Sequence, residues 1–143
     1  MSDKKLQLEI VTQEKQVLKT EATSISVSTE MGEITVLPDH IPLFTKLVTG
    51  ELRYREPGSA QTHFFAISGG FMDVGVGGQV TVLADHALRA DDINEALAEQ
   101  AREEAESAMK DKSSQRDFML AEASLRKALN ELKIAQKRKA SKR

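Results

Sequence analysis

The chain has 143 residues, a formal net charge of −2, three histidines and no cysteine, so disulfides and thiolate metal sites are excluded. No apolar run approaches about 18 residues, so the sequence predicts no helix that spans a bilayer. The N-terminus lacks a signal-peptide core and a transit pattern, which predicts a soluble, cytosolic protein that reaches a membrane only through partners.

The first half of the chain, to about residue 84, alternates apolar and polar residues in short runs divided by glycine and proline turns. This pattern predicts eight to ten strands in an antiparallel sandwich or flattened barrel. The alternating apolar positions are Leu6, Leu8, Ile10, Ile25, Val27, Ile34, Val36, Leu52, Tyr54, Phe65, Ile67, Phe71, Val74, Val76, Val80 and Val82.

One stretch, residues 32–47, reads GEITVLPDHIPLFTKL and combines a strand with a loop bounded by two prolines. Pro38 ends the strand because it has no N–H to donate, and Pro42 keeps Ile41 extended. A rigid loop on a β scaffold usually presents side chains to a partner. His40 lies in this loop, where it is either a contact residue or a turn histidine held by Asp39 or the backbone.

Several features that resemble catalytic or ligand sites are better explained by structure. Gly69-Gly70 and Gly75 to Gly78 fit hairpin turns, because neither phosphate-binding glycine motif is present. The three histidines, at 40, 63 and 86, form no HxxxH or HxH pair. We therefore predict no catalytic, cofactor or metal site.

The apolar period changes near residue 90, which predicts two helices. Asp92 with Glu95 forms a capping-box pattern at the start of the first. Its expected buried face is Leu97, Ala101, Ala105 and Ala108, and the run breaks at Lys112-Ser113-Ser114. The second helix carries a heptad seam of Phe118, Ala121, Leu125, Ala128, Leu132 and Ala135.

These two segments predict an antiparallel helical hairpin that is held together weakly, because alanine buries little area. Charge is distributed unevenly over it. Residues 85–125 carry eleven acids and five bases, whereas residues 126–143 carry eight bases and one acid. The predicted fold class is therefore α+β, mostly β: an antiparallel β-sandwich over residues 1–87, followed by a two-helix hairpin over residues 88–143.

Three pieces of the sequence resemble one known family. Gly32-Glu33 with Leu37-Pro38-Asp39-His40-Ile41-Pro42-Leu43 is similar to the G-E-x-x-x-x-P-x-H-x-P-L signature of the ε subunits of F-type ATP synthases. Ser68-Gly69-Gly70 with Phe71-Met72-Asp73-Val74, and Val80 to Asp85, match later parts of the same family in order and spacing. The similarity to this family covers nearly the whole chain.

The resemblance implies a non-catalytic central-stalk subunit that couples rotation of the c ring to ATP synthesis. It implies that Glu33 contacts the c ring and that Pro38, Asp39, His40 and Pro42 contact the γ subunit. The helical part would inhibit ATP hydrolysis by extending toward the α/β catalytic ring. Its regulatory contacts would be Arg126, Lys127, Lys133, Lys137 and Arg138.

The resemblance also implies a place: the cytoplasmic face of a bacterial inner membrane, as a peripheral part of the synthase that binds no nucleic acid. One family motif is missing. Some members bind ATP through I/L-D-x-x-R-A, whereas this chain has Asn94 and Leu97 at the aspartate and arginine positions, so nucleotide binding is not expected.

Two alternatives stay open on the sequence. The first is a free-standing ligand-binding β-sandwich with a helical dimerisation tail. The second is an enzyme that uses His40 and Asp39.

Overall fold

The computed structural model describes residues 4–111 and 114–141 of the chain. Within those residues, nine strands precede two long helices. The strands are β1 (Leu6–Val11), β2 (Gln16–Ala22), β3 (Ser24–Thr29), β4 (Gly32–Val36), β5 (Leu43–Arg55), β6 (Thr62–Ile67), β7 (Gly70–Val74), β8 (Gln79–Ala84) and β9 (Ala87–Arg89). The helices are α1 (Glu95–Lys110) and α2 (Gln115–Ser141).

The strands form one sheet in the order β2-β1-β8-β7-β5-β3-β4, with β6 pairing with both β5 and β9. The long strand β5 pairs with β7 through its first half and with β6 through its second half. The sheet thus folds over on itself into a sandwich. The predicted sandwich is confirmed, but it is not wholly antiparallel, because β1 and β8 pair in parallel.

The interior of the sandwich is one apolar cluster built from the inward residues of these strands. Most predicted inward positions are buried, because strand alternation places residues i and i+2 on one face. Phe71 and Val76 are exceptions: Phe71 is exposed on its strand and Val76 lies in a turn, 88% exposed. The largest buried side chains are Tyr54, Phe65, Leu6, Leu8, Ile10, Ile25, Leu47, Leu52, Ile67 and Met72.

The first helix begins two residues later than the sequence predicts. Ala90–Asp92 form a 3-10 turn, which places Asp92 before the helix rather than at its cap. Asn94 is the N-cap instead, and its side-chain oxygen accepts a hydrogen bond from the Leu97 N–H at 3.1 Å. The predicted Asp92 capping box is therefore wrong, because Asp92 is part of the 3-10 turn that precedes the helix.

The buried face of α1 is also rotated from the predicted one. Ala98 and Ala105 are buried, whereas Leu97 is 62% exposed and Ala101 and Ala108 face outward. In α2 the predicted seam is confirmed: Ala121, Ala128 and Ala135 are buried, and the larger seam residues are half-buried. Ile134 is a further buried residue that the heptad pattern did not predict.

The two helices pack against each other as an antiparallel hairpin rich in buried alanine. The break predicted at Lys112 and Ser113 lies outside the described residues, as do Lys142 and Arg143. By its contacts the chain divides into two compact units, residues 1–88 and 89–143.

Candidate partner-binding surfaces

The loop between β4 and β5 is held in one conformation by its own hydrogen bonds. The His40 N–H donates to the Leu37 carbonyl at 3.0 Å, closing a tight turn. Asp39 adopts φ +73, a left-handed conformation that glycine, asparagine and aspartate adopt more readily than other residues. The Lys4 ammonium lies 2.8 Å from Asp39 Oδ2 and ties the loop to the start of β1.

The imidazole of His40 is oriented by the backbone. Its Nδ1 lies 2.6 Å from the Ile41 carbonyl oxygen. A carbonyl oxygen only accepts, so Nδ1 carries the proton and donates, which leaves Nε2 for another contact. Pro38, Asp39 and His40 line a pocket of about 240 Å³ with Lys4, Lys5, Gly77 and Gly78. Pro42 does not line it and is exposed beside Ile41.

Glu33 lies apart from this loop. It stands near the start of β4, and because a strand rises about 3.3 Å per residue, roughly 10 Å separates it from Val36 at the loop end. Its carboxylate forms an ion pair with Arg53 of β5. The hydrogen bond that Arg53 donates to Glu33 is the main cause that raises the pKa of Arg53.

The structure reveals a surface that the sequence did not predict. Phe44, Phe71 and Leu83 lie on the outer face of neighbouring strands and are 64%, 42% and 47% exposed. The rings of Phe44 and Phe71 stack with centroids 5.4 Å apart, and Phe71 is directly opposite Leu83 in the β7–β8 register. We call these three residues the apolar patch. The sequence contained one signal for this surface, namely aromatic residues at strand positions that point outward.

The five predicted regulatory residues, which all lie on α2, divide into two sets by helical spacing. Arg126, Lys133 and Lys137 are exposed and separated by seven and four residues, so they share one face, the basic stripe. Lys127 and Arg138 are half-buried beside that stripe. Lys127 pairs with Glu131 at 3.1 Å, and Arg138 contacts Asp91 before the start of α1.

Two family profiles match adjoining parts of the chain. Residues 5–90 match the beta-sandwich domain of the ATP synthase Delta/Epsilon chain, and residues 91–136 match the long alpha-helix domain of the same chain. The chain belongs to the ATP synthase epsilon-chain family. The predicted resemblance is thereby confirmed.

Individual relatives support the assignment over nearly the full length. The ATP synthase epsilon chain of Herpetosiphon aurantiacus is 47% identical over 134 residues, covering 94% of this chain and 96% of the relative. That of Chloroflexus aggregans is 46% identical, covering 96% and 97%. Both relatives therefore match the β unit and the helical unit together.

Solved structures show the same fold. A chain in the Euglena gracilis mitochondrial ATP synthase (OSCP/F1/c-ring in rotational state 1) aligns with TM-score 0.74 and 24% identity, covering 85% of this chain and 76% of that one. A chain of the Tetrahymena thermophila central stalk/c-ring aligns with TM-score 0.60 and 13% identity, covering 94% and 99%. Within residues 4–111 and 114–141, neither α1 nor α2 contains an apolar stretch of the length that a bilayer span requires.

Proposed function

We propose that the chain is a non-catalytic rotor subunit of an F-type ATP synthase, which helps to couple c-ring rotation to ATP synthesis and restrains ATP hydrolysis through its helices. The observation that carries this proposal is the match of both units, in order, to ATP synthase Delta/Epsilon chains. The proposed place is the cytoplasmic face of a bacterial inner membrane, reached through the γ subunit and the c ring rather than by insertion.

We assign the γ contact to the loop of Pro38, Asp39, His40 and Pro42 together with the apolar patch. An exposed aromatic pair on a sheet face is an unusual surface for a monomer and is typical of a protein interface. The loop adds polar specificity, since His40 has its ring fixed through Nδ1 and keeps Nε2 for a partner. The two features supply the apolar and polar parts that a stable interface needs.

Glu33 is assigned to the c ring. Its carboxylate is about half exposed, and it lies on the edge strand of the sheet, away from the loop. An exposed carboxylate suits contact with polar loops, where charged groups adjust orientation more than they add affinity.

The helices are assigned an inhibitory role, exerted when the hairpin opens and reaches the α/β catalytic ring. Buried alanines leave little apolar area between α1 and α2, so opening costs less than it would in a leucine seam. The basic stripe, flanked by Lys127 and Arg138, then faces an acidic partner surface. We expect no nucleotide to regulate this motion, because Asn94 is engaged as a helix cap and Leu97 offers no charge.

Co-purification tests the proposal directly. A tagged chain in detergent-solubilised membranes should purify with γ, the c ring and ATPase activity. The double variant Phe44→Ser/Phe71→Ser should lose them, whereas Met31→Ser, a change at a 90% exposed apolar residue outside the patch, should retain them. A chain that purifies alone, or as a homodimer with a bound ligand, would favour the free-standing sandwich instead.

A second experiment tests the regulatory part. Truncation after Leu88 should leave the chain in the complex and raise ATP hydrolysis. Arg126→Gln/Lys133→Gln/Lys137→Gln should relieve inhibition in the full-length chain, whereas Lys110→Gln/Arg116→Gln, at the other end of the hairpin, should not. An unchanged rate of ATP hydrolysis in both the truncated chain and the triple variant of the basic stripe would contradict the inhibitory role.

A further inference from the structure

Arg53 bridges two glutamates on the outer face of the sheet. Its Nη2 contacts Glu33 Oε1, and its Nη1 lies 2.8 Å from Glu51 Oε2. Glu51 is two residues before Arg53 on β5, whereas Glu33 belongs to β4. Strand β3 lies between β4 and β5, so the Arg53 side chain crosses a whole strand to reach Glu33.

Small side chains on β3 and β4 make this crossing possible. Ser26 is directly opposite Arg53 on one side and Thr35 on the other, and residues opposite each other in antiparallel strands share a face. Neighbouring strands are about 4.8 Å apart, so Arg53 and Glu33 must together span roughly 10 Å. Ser26 is buried and its Oγ lies 2.8 Å from Thr35 Oγ1. The Arg53 side chain therefore passes over two short side chains whose hydroxyl groups are already hydrogen-bonded to each other.

The arrangement fixes one oxygen of Glu33 and leaves the other available. Oε1 is held by Arg53, whereas Oε2 has no partner among residues 4–111 and 114–141. Glu51 restrains Arg53 in turn, since its side chain is only 12% exposed while that of Glu33 is 48% exposed. A carboxylate held at one oxygen loses less rotamer freedom when it meets a partner, and this lowers the entropic cost of contact.

We infer that Arg53 is a positioning residue for Glu33. It holds the carboxylate so that Oε2 faces the c ring, and this inference rests on the c-ring contact proposed above for Glu33. Glu51 is the anchor that keeps the guanidinium in place. Arg53 itself makes no contact with the ring, so its effect depends on the presence of Glu33.

The chain provides a matched control for the test. Arg55 is on the same strand and the same face, but its guanidinium Nε donates to Thr62 Oγ1 at 3.2 Å rather than to a carboxylate. Arg55→Gln therefore removes the same charge from the same surface without touching Glu33. Arg53→Lys keeps a charge but cannot bond both glutamates as a fork.

The measurement is the ratio of ATP-driven proton uptake to ATP hydrolysis in inverted membrane vesicles that carry the complete synthase. Thermal melting of each full-length chain checks folding. We expect Glu33→Gln and Arg53→Gln to lower the ratio to a similar extent, roughly two- to fivefold. Arg53→Lys should recover part of the loss, and Arg55→Gln should cause none.

The double variant Glu33→Gln/Arg53→Gln decides the mechanism. If Arg53 acts through Glu33, the double variant matches Glu33→Gln alone. Additive losses, a higher ratio in Arg53→Gln, or an effect no different from that of Arg55→Gln would overturn the positioning role and leave the c-ring contact standing. A normal ratio in Glu33→Gln would refute the c-ring contact itself, and the positioning role with it.

Discussion

Arg138, near the C-terminal end of α2, forms an ion pair with Asp91 in the 3-10 turn before α1. Lys139 adds a second contact, with its Nζ 2.5 Å from Glu95 Oε1. These pairs connect the C-terminal end of α2 to the start of α1. In the closed hairpin, Arg138 is therefore already engaged within the helical unit, and an external acidic surface has to compete for it.

We expect neutralisation of the acidic partners to loosen this end selectively. Asp91→Asn/Glu95→Gln should raise amide hydrogen exchange in the last turns of α2 several-fold, since exposed ion pairs contribute up to about 1 kcal/mol each. Added salt should reduce the difference from the wild-type chain, because it screens the same pairs. Glu122→Gln, which removes only the pair with Arg126 inside α2, is the control and should leave those turns protected.

Asp39 offers a test of backbone strain in the loop. Asp39→Gly relieves the cost of φ +73 but removes the contact with Lys4 and adds freedom to the unfolded chain, so its free energy of unfolding should stay within about 1 kcal/mol of wild type. Asp39→Val places a branched side chain at the same φ and should cost about 2 kcal/mol or more.

The control for this pair is Asp73→Val, on an exposed position of β7 with ordinary strand geometry. Chemical denaturation should find it no less stable than wild type, because valine favours strands. Equal stability of Asp39→Val and Asp73→Val would contradict the strain at residue 39.

The strands could be predicted from the sequence because alternation follows directly from the two-residue repeat of the pleat. The parallel pairing of β1 with β8 could not, since no local pattern records which distant strands become neighbours. For the same reason, the ion pair of Glu33 with Arg53 could not be predicted, because it depends on β3 lying between their two strands.

Two other differences follow from short-range competition. Asp92 and Asn94 are both good cap residues, and the 3-10 turn that contains Asp92 shifts the start of α1 to Glu95. The buried face of α1 includes Ala98 rather than Leu97, because small side chains allow the two helices to pack closely. The sequence does not distinguish the outward Phe44 from the inward Leu47 of the same strand, because apolar residues on both faces of a strand obscure the alternation. The loop of two prolines was predictable, since proline restricts itself and the residue before it.

Gly70 should be among the least replaceable residues of the sandwich. A Cβ built there lies 2.1 Å from the Leu83 carbonyl oxygen, and φ is +126. Gly70→Ala should therefore destabilise the chain by roughly 3 kcal/mol or more, because backbone must move and strain is added. Gly58→Ala, at φ +74 with nothing within 4 Å, should cost only about 1 kcal/mol by thermal or chemical denaturation.

The acidic face of α1 has its own pH dependence, set by Arg102. Hydrogen bonding from Arg102 is the main cause that lowers the pKa of Glu99 below its ordinary 4.5. A group with a depressed folded pKa stabilises the fold above its unfolded pKa and loses that contribution as pH falls through the folded value. The stabilising effect is therefore present above about pH 4.5 and disappears in more acidic solution.

Carboxyl titration by NMR measures this effect directly. Arg102→Gln should raise the pKa of Glu99 toward its ordinary value and abolish the loss of α1 helicity that accompanies titration of that carboxyl. Arg116→Gln, which removes a base near the start of α2, should leave the Glu99 titration unchanged. A Glu99 carboxyl that titrates identically with and without Arg102 would mean that this ion pair does not persist in solution. The alanine face, the Asn94 cap and the contact of Glu95 with Lys139 would then stabilise α1 without it.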